Sequence, residues 1–101
     1  MNKFLVIYSD SGKKPDASAE ELILTHVDYI KSLAKEGTLS LCGVFMDNSG
    51  AVLVFNAASS KEVESILEKD PLVKEKYYNF TITEFIEANE ENNFLLDCDN
   101  Q

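Results

Sequence analysis

The chain of 101 residues has no arginine and no tryptophan, a single histidine, two cysteines, two prolines and four glycines. Each shortage excludes something. Arginine is the usual planar, bidentate clamp for carboxylate and phosphate. Without it, an anionic ligand must be met by lysine, backbone N–H groups or helix N-termini. The nine basic residues are all lysine and face eighteen acids, giving a net charge of −9. Such a balance repels nucleic acid and anionic membrane surfaces, so neither is expected as a partner. Cys42 and Cys98 stand far apart, with no CxxC motif and one histidine to join them. That spacing makes neither a zinc site nor a redox pair. Both are read as reduced thiols, and no metal or cofactor is expected. No apolar run approaches the ~20 residues of a membrane helix. The apolar N-terminus is too short for a signal peptide. These features predict a cytoplasmic protein.

What is present is the composition of an ordinary globular domain, 45% hydrophobic and 27% charged. A chain of this length folds alone with little margin, burying roughly 65% of its unfolded surface. The spacing predicts one domain over residues 1–86 and an acidic tail over 87–101, which holds five acids and no base.

The first predicted strand runs from Lys3 to Tyr8, with Phe4, Val6 and Tyr8 on one face and Leu5 and Ile7 on the other. A polar loop with Gly12 and Pro15 follows. Ser18-Ala19-Glu20-Glu21 reads as a capping box opening a helix. Its apolar stripe is Leu22, Ile23, His26, Val27, Ile30, Leu33 and Ala34, and Gly37 fits the left-handed residue that ends it. Thr38 to Phe45 and Ala51 to Phe55 read as a hairpin around the turn Asp47-Asn48-Ser49-Gly50. The alternation sets Leu39, Leu41, Gly43 and Phe45 against Ser40, Cys42 and Val44. Ser59-Ser60-Lys61-Glu62 caps a second helix, with Val63, Ile66 and Leu67 as its stripe. Asp70-Pro71 opens a short helical turn from Leu72 to Lys76, and Phe80 to Ile86 is the last strand.

The order β-α-β-β-α-β is the split β-α-β arrangement of the ferredoxin-like α+β fold. Helices cover one face of its four-stranded sheet. The other face is normally wet, yet the first and third strands are apolar on both sides. A second copy laid on that face, forming a homodimer, is the simplest cover.

Histidine is the side chain suited to trading a proton near neutral pH, so His26 is the first candidate for chemistry. Two readings stand side by side. It is either a packed core residue with one N–H on a carbonyl, or an acid–base group. Asp70 likewise reads as the N-cap of the turn before Pro71, worth about 1 kcal/mol, or as a carboxylate that orients an imidazole. Both roles fit one group, since a carboxylate has two oxygens. Tyr8, Tyr29 and Tyr77 offer phenols to a ligand or pack with the hydroxyl at a rim. Gly43 marks a close approach of a ligand or backbone, a bulge, or room for an aromatic. Cys42 is a poor nucleophile candidate, with no second histidine to activate it.

The stretch His26-Val27-Asp28-Tyr29-Ile30-Lys31-Ser32-Leu33-Ala34-Lys35-Glu36-Gly37, then Thr38-Leu39-Ser40-Leu41-Cys42-Gly43, follows H-x-x-Y-I-x-x-L-x-x-x-G and T-L-x-L-x-G. Asp70-Pro71-Leu72-Val73 and a closing Glu84-Phe85 complete the set. Over residues 3–86 this resembles the YCII-related (YciI-like) family of small dimeric α+β barrel proteins. The resemblance implies a homodimer of ferredoxin-like protomers and an active site centred on His26 and Asp70. It also implies chemistry of the muconolactone-isomerase kind, or loss of chloride from a chlorinated hydroxyquinone. Three departures stand at the pocket wall: Val44 where Pro usually follows Gly43, Leu72 where an aromatic follows Asp-Pro, and the loss of a glycine around Glu75 and Lys76. They bear on substrate more than on fold.

Two functions remain in competition. One is a dimeric acid–base enzyme with His26 and Asp70 as catalytic pair, and Tyr8, Tyr29 and Gly43 lining the place of a small-molecule substrate. The other is a non-catalytic ligand-binding or regulatory module on the same scaffold, since one fold serves many tasks. A third reading gives the acidic tail a basic partner.

Overall fold

A computed structural model describes residues 2–96; Cys98 and the end of the acidic tail lie outside the described residues. The elements are β1 (Asn2–Asp10), α1 (Ala19–Lys35), β2 (Leu39–Val44), β3 (Gly50–Ala57), α2 (Ser60–Glu68), α3 (Pro71–Lys74) and β4 (Tyr78–Phe85). A 3-10 segment, Glu90–Leu95, follows the last strand. The sheet has four antiparallel strands in the order β2-β3-β1-β4.

The period-two pattern of β1 sorts its side chains as the sequence predicts. Phe4, Val6 and Tyr8 pair across to Phe55, Leu53 and Ala51 on β3. Together with Leu33 from α1 and Val63 and Leu67 from α2 they form the core. Phe4, Val6, Phe55 and Val63 are completely buried. Each contributes roughly 1.5–3 kcal/mol through the hydrophobic effect. Gly50 permits the pairing of β3 with β1, because a Cβ there would collide with the carbonyl of Tyr8. Leu5, Ile7, Val52 and Val54 occupy the opposite face and are only half-buried. That face carries apolar side chains where water would favour polar ones.

Several local expectations are corrected. Ser18 does not cap α1: its own backbone is already helical (φ −89°, ψ −7°), so its hydroxyl cannot turn back onto the first turn. It donates instead to Asp16 Oδ1, which also accepts the Ser18 N–H. The buried stripe of α1 is rotated. Ala19, Leu22, His26, Tyr29, Ile30 and Leu33 face inward, whereas Ile23 and Val27 are 50% and 40% exposed and Ala34 is exposed. In β2 a bulge lies between Leu39 and Leu41, so Leu39 pairs with Phe55 but Leu41 with Val54. The extra residue, Ser40, reverses the alternation. Leu39 is buried in the core, while Leu41 stands 54% exposed on the other face. Ser59 caps α2 through the Glu62 N–H, as its sequence suggests. The final strand begins two residues earlier than its alternation indicates, at Tyr78.

Gly37 ends α1 with φ +82°, the left-handed conformation its position predicts. Lys76 does the same after α3, at φ +65°. This is where the family resemblance places a glycine. A lysine in this region is strained by its Cβ, which glycine lacks. Lys76→Gly is therefore expected to stabilise the fold by about 1 kcal/mol. A urea melt whose midpoint does not rise would contradict this.

Candidate active site

Asp70 is placed by its neighbour. Pro71 has no N–H to leave unsatisfied and a φ already fixed for a helix, so α3 starts there. Asp70 is extended (φ −68°, ψ 126°), and its Oδ1 accepts the Leu72 N–H at 3.0 Å. The same carboxylate collects two more partners from distant elements. Tyr8 Oη on β1 donates to Oδ2 at 2.9 Å. His26 Nδ1 on α1 lies 2.8 Å from Oδ1 and 2.9 Å from Oδ2. Cap and imidazole partner are thus one side chain.

Asp70 is 1% exposed and the His26 side chain 21%, so only the imidazole is within reach of a ligand. A carboxylate accepting these bonds offers lone pairs alone. Nδ1 must then carry the hydrogen, and in the neutral ring Nε2 keeps the free lone pair. Tyr8 is locked as a donor. Burial, then the Asp70 charge and the bond to it, hold its phenol proton far above the usual tyrosine range. Tyr78 stacks on Tyr8 with centroids 5.3 Å apart and planes 19° off parallel.

The remaining candidates fall elsewhere. Tyr29 Oη donates to the Ile66 carbonyl at 2.7 Å, joining α1 to α2. Its phenol is pushed up by burial and then by Asp70. Gly43 pairs with Val52 and so belongs to the opposite sheet face. A Cβ there would meet only Val52 Cγ1, at 3.6 Å; nothing within the chain demands glycine. Cys42 is exposed. Desolvation and the Asp70 charge push its thiol up, which disfavours the nucleophilic thiolate. Among the described residues no three His, Cys, Asp or Glu side chains come together as metal ligands. No helix among them is long and apolar enough to cross a membrane.

A cleft of about 210 Å³ opens beside this cluster, walled by Ile23, Leu72, Tyr77 and Tyr78. His26 and Asp70 are not in its lining; their neighbours are. Ile23 precedes His26 by about one helical turn, Leu72 donates to Asp70, and Tyr78 stacks on Tyr8. Sequence reasoning missed Tyr78 and the partner of Tyr8. The signal existed: alternation sets Tyr8 on the helix-facing side with Phe4 and Val6, where a buried phenol needs an acceptor.

Antiparallel strands in this order, with the helices on one face, define a ferredoxin-like α+β protomer of the type found in dimeric α+β barrels. The chain belongs to the YCII-related domain family, whose model matches residues 2–86. Among solved structures it is similar to 5-chloro-2-hydroxyhydroquinone dehydrochlorinase from Burkholderia phenoliruptrix AC1100, in complex with 2,5-dihydroxybenzoquinone. The identity is 20%, covering 89% of this chain and 99% of that one, with a TM-score of 0.62. It is also similar to a muconolactone isomerase at 18% identity, covering 84% and 88% of the two chains, with a TM-score of 0.72. At these identities the likeness establishes the fold. No functionally curated protein matches the chain.

Tyr8→Phe removes one donor from a buried carboxylate. It is expected to lower stability by roughly 1.5–3 kcal/mol at neutral pH. The folded phenol titrates above the ordinary value of 10.0, so its contribution is complete below that pH and is lost as pH climbs past it. Wild-type stability should therefore fall more steeply in alkali than that of Tyr8→Phe. Parallel stability–pH curves from denaturant melts would refute the assignment.

Proposed function

We propose that this protein is a small acid–base enzyme acting as a homodimer on a small organic molecule. His26 exchanges a proton with the substrate through Nε2, and Asp70 holds the ring. The observation that carries this reading is the contact of His26 Nδ1 with both oxygens of a buried carboxylate, while the imidazole remains the accessible member. Fixing one nitrogen sets the tautomer and leaves the lone pair of the other free to accept a proton. Such assistance contributes on the order of 100- to 10,000-fold in rate.

The chemistry suits proton abstraction beside a carbonyl, isomerisation, elimination of a leaving group such as chloride, or activation of water. The names of the two fold neighbours, a dehydrochlorinase and an isomerase, agree with that range. The catalytic domain is residues 1–86, and the acidic tail is an appendage to it. A purely ligand-binding role is favoured by one observation: the imidazole stands outside the lining of the nearby cleft.

The dimer follows from the apolar sheet face. Leu5, Ile7, Val52 and Val54, with exposed Leu41, are the surface a second sheet would cover. Light scattering after size exclusion should give twice the chain mass. Charge introduced by Val54→Lys should shift it to monomer, and a wild-type monomer at micromolar concentration would rule the dimer out.

Nitrogen NMR of His26 tests the pair without knowledge of the substrate. Wild type should hold the Nδ1–H tautomer. In Asp70→Asn the side-chain amide supplies donors of its own, so the tautomer balance should move. Identical balances in both proteins would overturn the reading. With 5-chloro-2-hydroxyhydroquinone or muconolactone as trial substrate, His26→Gln should lose at least about 100-fold in any wild-type turnover. Equal turnover would exclude His26 as the acid–base group.

A further inference from the structure

A groove at the start of β4 gathers lysine in a chain that has little positive charge. It is lined by Lys13, Lys74 and Lys76 together with the half-buried Val73, Tyr78 and Phe80. Glu68 is the opposing charge in the lining. Among the described residues, no carboxylate pairs with any of the three ammonium groups. Lys13 is nonetheless held in place. Its Nζ lies 4.5 Å from the Tyr77 ring centroid and donates to the Glu75 carbonyl at 2.7 Å, which leaves further hydrogens for an acceptor. Lys76 occupies the left-handed region at φ +65°, where glycine would relieve the strain. A strained lysine that lines a groove trades stability for the charge it places there.

The complementary surface is on the same sequence. Residues 87–101 carry five acids and no base. Glu87, Glu90 and Glu91 are exposed, and so are Phe94 and Leu96, at 56% and 68%. This mixture of acid and apolar groups answers the mixture of lysine and apolar groups in the groove. Asn89 and Asn92 cap each other through reciprocal N–H to Oδ1 bonds, and Asn92 Nδ2 donates to the Glu87 carbonyl. The segment is thus a preformed knob rather than a loose end. Its backbone is strained, with Asn93, Phe94 and Leu95 at φ +54°, +51° and +65°, a conformation that disfavours every residue but glycine and, to a lesser degree, asparagine. Such strain persists where contacts beyond the segment offset it.

In its own chain the tail begins at the wrong end of β4 to fill the groove. Glu87 and Asn89 border Asn2, Lys3 and Phe85, whereas the groove lies at Tyr78, roughly 24 Å away along the strand at about 3.4 Å per residue. A two-fold axis that reverses the strand direction brings the tail end of one sheet to the groove end of the other. Symmetry then makes the contact twice. We infer that the tail of one copy docks in the Lys13–Lys74–Lys76 groove of a second copy. Phe94 and Leu96 enter it, and Glu87, Glu90 and Glu91 face the lysines. The inference rests on the homodimer proposed above and adds a reciprocal exchange of arms. The groove's volume of about 900 Å³ far exceeds the roughly 150 Å³ cavity that takes benzene, and it suits a stretch of peptide.

The test uses the full chain carrying Cys42→Ser, so that a nitroxide attaches at Cys98 alone. Spin-labelled chains are refolded from urea together with unlabelled chains enriched in nitrogen-15, which forms mixed dimers. Only a contact between copies can then broaden the amides of Lys13, Lys74, Lys76, Asn79 and Phe80 in the enriched chain. That broadening is the expected result at low salt. It should vanish when the spin-labelled chain carries Phe94→Ser with Leu96→Ser, and fade in 1 M salt, where the Debye length is about 3 Å. Lys76→Gly in the enriched chain should weaken it while raising the urea midpoint, a combination that a purely structural lysine would not show. Absent broadening, or broadening unchanged by the serine pair and by Lys74→Met, would overturn the inference. So would broadening seen only when label and isotope share one chain, or groove shifts on adding inorganic phosphate with no broadening at all. The two readings fail separately. A wild-type dimer by light scattering without broadening defeats only the arm. Broadening between chains that weigh as monomers at micromolar concentration defeats only the sheet-faced dimer.

Discussion

One carboxylate carries the architecture of this site. Asp70 is buried, and it is tolerable there because donors arrive from three directions: the Tyr8 hydroxyl on β1, the His26 ring on α1 and the Leu72 N–H of its own turn. A buried polar group short of partners is among the more destabilising features a fold can hold. Removal of one donor leaves the carboxylate underserved, so the three elements are held to a common geometry. Strand, long helix and short helix meet at a point that packing alone would leave loosely defined.

That requirement links stability to chemistry. The oxygen that caps α3 also faces the imidazole, and the other oxygen is shared between His26 and Tyr8. Structural and functional readings of Asp70 are therefore one arrangement seen from two sides. Tyr8 illustrates this. Its phenol is held as a donor by burial and by Asp70, and its ring supports Tyr78 at the cleft wall. A residue of the core thus bears on both the carboxylate and the cleft wall.

Much of this was legible in the residues. Alternation in β1 sorted Phe4, Val6 and Tyr8 from Leu5 and Ile7, and the Asp-Pro start located Asp70 at a cap. Turn residues around Asn48 and the glycine at 37 marked where elements end. What escaped was set by tertiary context. Nothing in Thr38 to Phe45 announces an extra residue at Ser40, because the bulge answers the edge pairing with β3. The inward face of α1 was misplaced by Ile23 and Val27, since periodicity finds a stripe but not the side that meets the sheet. Ser18 lost its cap to Asp16, whose side chain closes a local turn first. The contact between His26 and Asp70 spans 44 positions and that between Tyr8 and Asp70 spans 62. Spacing along a chain carries no information about such meetings.

The span of those contacts has a kinetic side. Loop closure over long separations carries an entropy penalty before any contact rewards it, and topologies rich in distant pairings fold slowly. The Asp70 cluster cannot assemble until β1, α1 and the α3 turn have all come together. In the finished protein the same connectivity ties the cluster to cooperative opening. The amide of Leu72, though it belongs to a helix of only four residues, should exchange with solvent as slowly as the central strand.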